Sequence, residues 1–162
     1  MDKIAGIKPR NIVYIDETGF DEYYSRNYGY SKRGQRIVGK VYGRKIFRIN
    51  LVAGLANGKI IAEKLYKGNT EYLFFEDWFA NVLLPQVKKK SVIVLDNATF
   101  HRKAALREIA KKRKCHLLFL PSYSPDLNPI EKKWSNTKRF LKDNIHKFNT
   151  LQDAILYYLK TV

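Results

Sequence analysis

Cysteine, acidic residues and long apolar runs are all scarce in this chain, and each scarcity closes off a class of function. A single cysteine, Cys115, excludes a disulfide framework and a thiolate metal cage, and points to a reducing compartment. His101, His116 and His146 are scattered, so they lack the clustered ligand spacing that zinc requires. No segment approaches the roughly 20 apolar residues of a membrane span, and Met1-Asp2-Lys3-Ile4 does not begin a signal peptide. The glycine patterns of phosphate loops and dinucleotide folds are missing, and no serine–histidine nucleophile motif stands out. A cytoplasmic or nucleoid-associated protein with no membrane partner is expected.

Positive charge, by contrast, is abundant. The 162 residues hold 31 Lys plus Arg against 15 Asp plus Glu, a formal net charge of +16. Such a balance suits a polyanionic partner; the alternative is a merely basic, soluble surface. No acid lies between Glu22 and Glu63, where Arg26, Lys32, Arg33, Arg36, Lys40, Arg44, Lys45, Arg48 and Lys59 fall. Further groups are Lys111-Lys112-Arg113-Lys114 and Lys132, Lys133, Lys138, Arg139 and Lys142. Patches of this kind bind nucleic-acid phosphates without regard to sequence, although a run such as 111–114 also reads as a solvated helix end. Length predicts one domain, and an apolar fraction of 45% is enough for a core.

Patterning predicts the order β-β-β-α-β-α-β-α-α, a mixed sheet with helices on its faces. Asn11–Ile15 reads as a strand ending at Asp16, and 18–43 as a long loop or partly paired excursion. Runs 45–55 and 59–66 flank Asn57-Gly58, a tight-hairpin dipeptide, and complete a meander. A helix over 71–84 is expected, capped by Asn69 or Thr70, stopped near Pro85 and burying Leu73, Phe74, Trp78 and Val82. Ser91–Leu95 reads as a central buried strand, 103–114 as a basic helix and His116–Leu120 as a fifth strand. After a turn-rich link, Asn128 as N-cap and Pro129 at the first helical position start a helix with Ile130, Trp134, Thr137 and Leu141 buried. Thr150 and Asp153 are spaced as a capping pair for a last helix, 151–159.

Among so few acids, Asp16 and Asp96 each follow a predicted strand. If those strands are neighbours, both carboxylates emerge at the sheet edge where open α/β sheets bind ligands. Two close carboxylates repel unless a cation neutralises them, and magnesium, a hard ion with oxygen ligands, suits such a pair. Two ions would activate the attacking oxygen and stabilise the leaving one in phosphodiester chemistry. Glu17 competes with Asp16, because adjacent strand residues face opposite ways and periodicity alone does not choose between them. Glu131 is spaced to close a capping box with Asn128, and Asp126 is a rival third acid that also reads as a turn former. Spacing leaves Glu131 undecided.

Three blocks carry a resemblance: Ile15-Asp16-Glu17-Thr18-Gly19-Phe20, then Leu95-Asp96-Asn97-Ala98 with His101, then the run from Pro121 through Pro129-Ile130-Glu131. In this order they resemble the catalytic blocks of DDE transposases, on the bacterial insertion-sequence side of the mariner-like superfamily. The 34 residues between Asp96 and Glu131 match that branch, and Gly29-Tyr30 with Arg33-Gly34 resembles its segment between the first two strands. The resemblance implies an RNase-H-like fold, a five-stranded mixed sheet with its first three strands antiparallel and helices on both sides. It implies that Asp16, Asp96 and Glu131 are the catalytic residues and hold two Mg2+ or Mn2+ ions. It further implies hydrolysis of DNA at transposon ends and joining of the 3′-hydroxyl to target DNA, typically at TA, by a homodimer on double-stranded DNA in a prokaryotic cell. Asn97 and His101 would support the acids or face DNA, and Lys132 and Lys133 would touch phosphates.

One feature departs from the family. Its helix-turn-helix domains precede the first catalytic acid, whereas Asp16 comes here almost at once, so residues 1–162 are expected to be a single catalytic domain. A split-gene product, a truncation or an isolated catalytic piece would each leave end recognition to a helix-turn-helix partner polypeptide. Two other readings stand beside the transposase: a non-catalytic basic DNA-binding remnant of a transposable element, and an RNase-H-like nuclease acting on hybrids or junctions.

Overall fold

The computed structural model describes residues 11–21, 31–36, 48–98, 101–121 and 124–161. Its sheet has five strands: β1 (Ile12–Asp21), β2 (Arg48–Ala56), β3 (Lys59–Tyr66), β4 (Val92–Leu95) and β5 (His116–Phe119). They lie in the order β3-β2-β1-β4-β5. The first three pair antiparallel, and β4 and β5 join parallel, which is the expected RNase-H-like arrangement. At the β2–β3 turn Asn57 and Gly58 both take positive φ, 51° and 77°, as a two-residue hairpin demands.

β1 runs further than its residue pattern suggests. Rather than ending before Asp16 it continues through Asp21, and Asp16, Glu17, Thr18 and Gly19 pair with Ala53, Val52, Leu51 and Asn50. Backbone pairing with the apolar β2 holds this polar stretch extended, which side-chain alternation does not reveal. Residues 45–47 of the second predicted strand, Gly29-Tyr30 and most of the 18–43 excursion lie outside the described residues.

Helices cover both faces. On one, Val13, Ile15, Val52, Ile93 and Leu95 pack against α1 (Tyr72–Trp78), the turn after it and α3 (Lys103–Lys112). On the other, Phe20, Leu51, Ala53 and Leu55 meet Ile130, Trp134 and Leu141 of α4 (Ile130–Asn144) and Ile155 of α5 (Leu151–Thr161). The α4 stripe is buried as its 3.6-residue period predicts. Thr150 caps α5, accepting from the Asp153 amide at 3.1 Å.

Two helix readings need correction. After α1 the chain widens into a π turn, Phe79–Leu83, before α2 (Leu84–Gln86). Pro85 has no N–H to give a normal turn, and the Leu84 amide reaches back to Phe79 O. Phe75, Trp78 and Phe79 form the buried i, i+3, i+4 face of α1 and leave Leu73 60% exposed, and past the wide turn Leu83 and Leu84 are interior. Neither Asn69 nor Thr70 caps α1, whose N-cap position is Glu71. Likewise Asn128 does not cap α4: Pro129 holds that position, and the buried Asn128 amide donates to Ile15 O at 3.4 Å instead. That bond ties the start of α4 to β1.

Candidate active site

β1 and β4 set two acids side by side. Ile12, Val13 and Tyr14 lie opposite Val92, Ile93 and Val94, and the same register carried two residues on from Tyr14 puts Asp16 level with Asp96. Asp96 is the first residue past β4, while Asp16 is held within β1 by its pairing with β2. Asp16, Glu17 and Asp96, with Ile15 and Phe75, line one small cavity of about 80 Å3.

The Asp16 side chain turns toward α4, where the Trp134 indole donates to Oδ2 at 2.9 Å. Burial pushes this carboxyl up to about 7; the charge of Glu131 and, more weakly, of Asp96 push the same way, against donation from the Glu17 amide and Trp134. Asp96 behaves oppositely. His101 Nε2 lies 3.1 Å from its Oδ1 and the Ala98 amide 3.3 Å from the same atom, and chiefly the histidine contact holds Asp96 below its ordinary range. Asp16 therefore titrates near neutral pH, whereas Asp96 is held toward its charged form, as expected of neighbouring carboxyls in unlike surroundings.

Glu131 stands on the first turn of α4, exposed, and no side-chain cap bond is made there. The capping box is therefore not formed, and the carboxylate acts on Asp16 across space instead. Among the described residues no three Asp, Glu, His or Cys side chains close on a single metal position. The donors nonetheless suit a hard divalent cation: all are carboxylate oxygens, and the repulsion felt at Asp16 is what a cation would relieve. Of the three acids, Asp16 and Asp96 share the cavity, and Glu131 on α4 is near enough to Asp16 for its charge to be felt there.

The remaining candidates fall as follows. Glu17 faces away from α4, its Oε2 accepting from Thr70 at 2.6 Å and Tyr66 at 3.2 Å. Its Oε1 is buried with no hydrogen-bond partner among the described residues, and desolvation raises its pKa. His101 is buried, turned inward to Asp96, with its ring 4.3 Å from that of Phe75. Asn97 is half-buried immediately after Asp96, Lys132 is exposed on α4, and Lys133 is half-buried beside it. Asp126 sits exposed in the 3-10 turn Pro125–Leu127. Sequence reasoning took Trp134 for core alone and missed its bond to Asp16, although its position three residues after Glu131 on the same helix face was a signal. The Thr70–Tyr66 clasp on Glu17 carried no such signal.

With this geometry, comparison with known proteins becomes decisive. The family model described as "DDE superfamily endonuclease" matches residues 11–153, nearly the whole chain.

The chain belongs to the DDE superfamily of endonucleases.

Curated relatives of this DDE domain include the Tc1 transposase of Caenorhabditis elegans, 36% identical over 85 residues, covering 49% of this chain and 31% of that protein. The Tcb2 transposase of Caenorhabditis briggsae is 34% identical over 89 residues, covering 49% of this chain and 33% of that protein. The chain thus spans about a third of the length of these curated relatives. A Mos1 transposase paired-end complex with the left transposon end superposes with a TM-score of 0.72 at 19% identity, covering 86% of this chain and 45% of that one. The catalytic domain of Mos1 mariner transposase gives 0.63 at 16% identity, covering 96% and 72%. These structures show the fold, and the curated relatives are transposases to which about half of this chain is similar.

Proposed function

We propose that this chain is the catalytic domain of a transposase that hydrolyses DNA phosphodiesters at transposon ends and joins the 3′-hydroxyl to target DNA. Asp16, Asp96 and Glu131 are its catalytic and metal-binding residues. The observation that carries this reading is Asp16 in β1 and Asp96 just past β4, brought level by the parallel β1–β4 register, with the Asp16 carboxyl pushed up by burial and by Glu131. Mos1 complexes with Mn and with Mg share this fold, which supports a divalent ion here, and two are proposed. Bound at these acids, Mg2+ or Mn2+ would supply Lewis acidity at the attacking and leaving oxygens.

The chain's own residues do the positioning. Trp134 fixes the Asp16 carboxylate through Oδ2, and His101 with the Ala98 amide fixes Asp96 through Oδ1. Each bond leaves oxygen lone pairs to face a cation, and removes rotamer freedom that would otherwise be lost on binding. Asn97 follows Asp96 at the same strand end, and Lys132 and Lys133, next to Glu131, supply positive charge for the phosphates of the bound DNA. The bacterial insertion-sequence branch and a prokaryotic, nucleoid-associated protein rest on the 34-residue resemblance alone, whereas the curated relatives named above are from nematodes. End recognition falls to a helix-turn-helix-bearing polypeptide, and the active assembly is a homodimer on paired DNA ends.

The test uses duplexes carrying the element's ends, with Mg2+, Mn2+ or chelator, beside Asp96→Asn. With the end-binding polypeptide present, metal-dependent cutting and joining is expected of wild type and not of the variant. DNA binding without any cutting, in the presence of the end-binding polypeptide, would favour the non-catalytic remnant. Preferential cutting of RNA–DNA hybrids would favour the nuclease.

A further inference from the structure

The end of the sheet away from the acids carries a second concentration of charge. Lys90, Arg107, Lys111, Lys114 and His116, with Cys115 and Leu117, line a groove of about 690 Å3 where β4 and β5 begin. No acid is among the lining residues, and all five of these polar side chains belong to exposed residues. Among the described residues none of them is in a salt bridge. From Lys90 to Asp96 is six residues of nearly extended chain, about 20 Å, so this groove is distinct from the acid site.

Three local rules are broken here, all in favour of positive charge. Lys90 and Lys114 adopt left-handed backbone, with φ of 65° and 58°, where glycine or asparagine is the ordinary choice. Their segments are tied together, the Lys90 amide donating to Lys114 O at 3.0 Å. Third, Lys103, Arg107 and Lys111 repeat at helical i,i+4 spacing, so like charges stack along one face of α3. Lys103 and Arg107 sit over the Phe119 ring of edge strand β5, at 5.5 Å and 5.2 Å from its centroid, which holds them along the sheet edge. A merely soluble surface gains nothing from strained lysines and stacked like charges; a polyanion site does.

We propose that Lys103, Arg107, Lys111, Lys114 and Lys90 form a continuous track for the sugar–phosphate backbone of double-stranded DNA. It runs along the β5 edge from the acid end to the far groove. From Lys103 to Lys114 is eleven residues, about 17 Å if helical throughout. At 3.4 Å per base pair that corresponds to about five base pairs of one strand. The occupant is the flank of the duplex whose scissile phosphate lies at the acids, so this inference rests on reading the chain as acting on DNA. Recognition is of phosphate spacing and carries no base preference.

Lys90→Gly with Lys114→Gly makes an informative variant, because glycine favours the left-handed backbone and folding is retained or improved. A second variant adds Arg107→Gln and Lys111→Gln. A control outside every named cluster replaces exposed Lys67, Lys147 and Lys160 by Gln. Binding of a labelled 30-base-pair duplex of arbitrary sequence is measured against salt concentration, in chelator, with thermal melting run in parallel. The slope of log affinity against log salt is expected to fall by about two for the double variant and about four for the quadruple one. The control should lose about one or less. Equal losses in track and control variants would overturn the proposal, since net charge alone would then account for binding. Unchanged slopes in the track variants would overturn it too. Metal-dependent cutting, assayed in Mn2+ on the same protein preparations, separates the two readings. A track-dependent slope without cutting leaves the track standing and removes the transposase chemistry, and cutting with an unaltered slope does the reverse.

Discussion

Replacing Asp16 by Asn should change how the folded protein responds to pH, in a direction set by the site. The carboxyl is carried from 3.8 to about 7 by burial and by its acidic neighbours. Between those two values the folded chain binds more protons than the unfolded one, so stability falls as pH rises. The loss begins near the ordinary aspartate range and is complete a little above pH 7. The full displacement corresponds to about 4 kcal/mol, of which about 3 kcal/mol falls between pH 5 and pH 8. Asn is nearly the same size and can still accept from Trp134, so Asp16→Asn removes the charge without opening a cavity. Glu17 is also raised, which tilts both proteins the same way and cancels in their difference. Urea unfolding in chelator at pH 5, 6, 7 and 8 measures the effect. Asp16→Asn should gain on wild type steadily with pH, becoming more stable by a few kcal/mol at pH 8. Parallel pH profiles for the two proteins would refute the reasoning, as would a wild type that gains on the mutant.

Three other perturbations probe the same frame. Adding Mn2+ or Mg2+ at pH 8 should raise the melting temperature of wild type and leave Asp96→Asn unmoved; an equal rise in both would place the ions elsewhere. Trp134→Phe removes the donor to Asp16 Oδ2, and should cost about 1–3 kcal/mol in denaturant titrations, more at pH 8 than at pH 5 where the carboxyl is protonated. Gly54→Ala would place a methyl 3.0 Å from Leu83 Cδ1 and 3.1 Å from Ile61 Cγ1, and should destabilise by about 1–3 kcal/mol through overpacking, with no pH dependence.

Much of this architecture can be read from residue order, and the parts that cannot share a cause. Asn57-Gly58 dictates its own turn, the apolar run 92–95 has to be buried, and Ile130, Trp134, Thr137 and Leu141 show a helical face by period alone. These signals are local. The extent of β1 is not, because Asp16 to Asp21 is polar enough to read as a loop and is extended only by β2 beside it. The buried face of 72–86 is misjudged because several apolar residues at its start offer more than one helical stripe, and beyond Phe79 a π turn ahead of Pro85 shifts the period. At the site, residue types pointed to Asp16 and Asp96, while their alignment depends on the β1–β4 register, which no local pattern encodes. Glu131 had a plausible role as a cap until Pro129 was found in the cap position and Asn128 on Ile15. Trp134 is core as its period predicts and bonds Asp16 as well, while Thr70 does not cap α1 and bonds Glu17 instead.

The central claim is that Asp16, Asp96 and Glu131 act as one metal-dependent centre on DNA. Nicking of supercoiled plasmid in Mn2+ by wild type, Asp16→Asn, Asp96→Asn and Glu131→Gln, each confirmed folded by its melting curve, tests it most directly. The account predicts nicking by wild type that chelator abolishes, and a loss of at least about a hundredfold in every single variant, as when one member of a catalytic unit is removed. Undiminished nicking by any one of the three folded variants would contradict it.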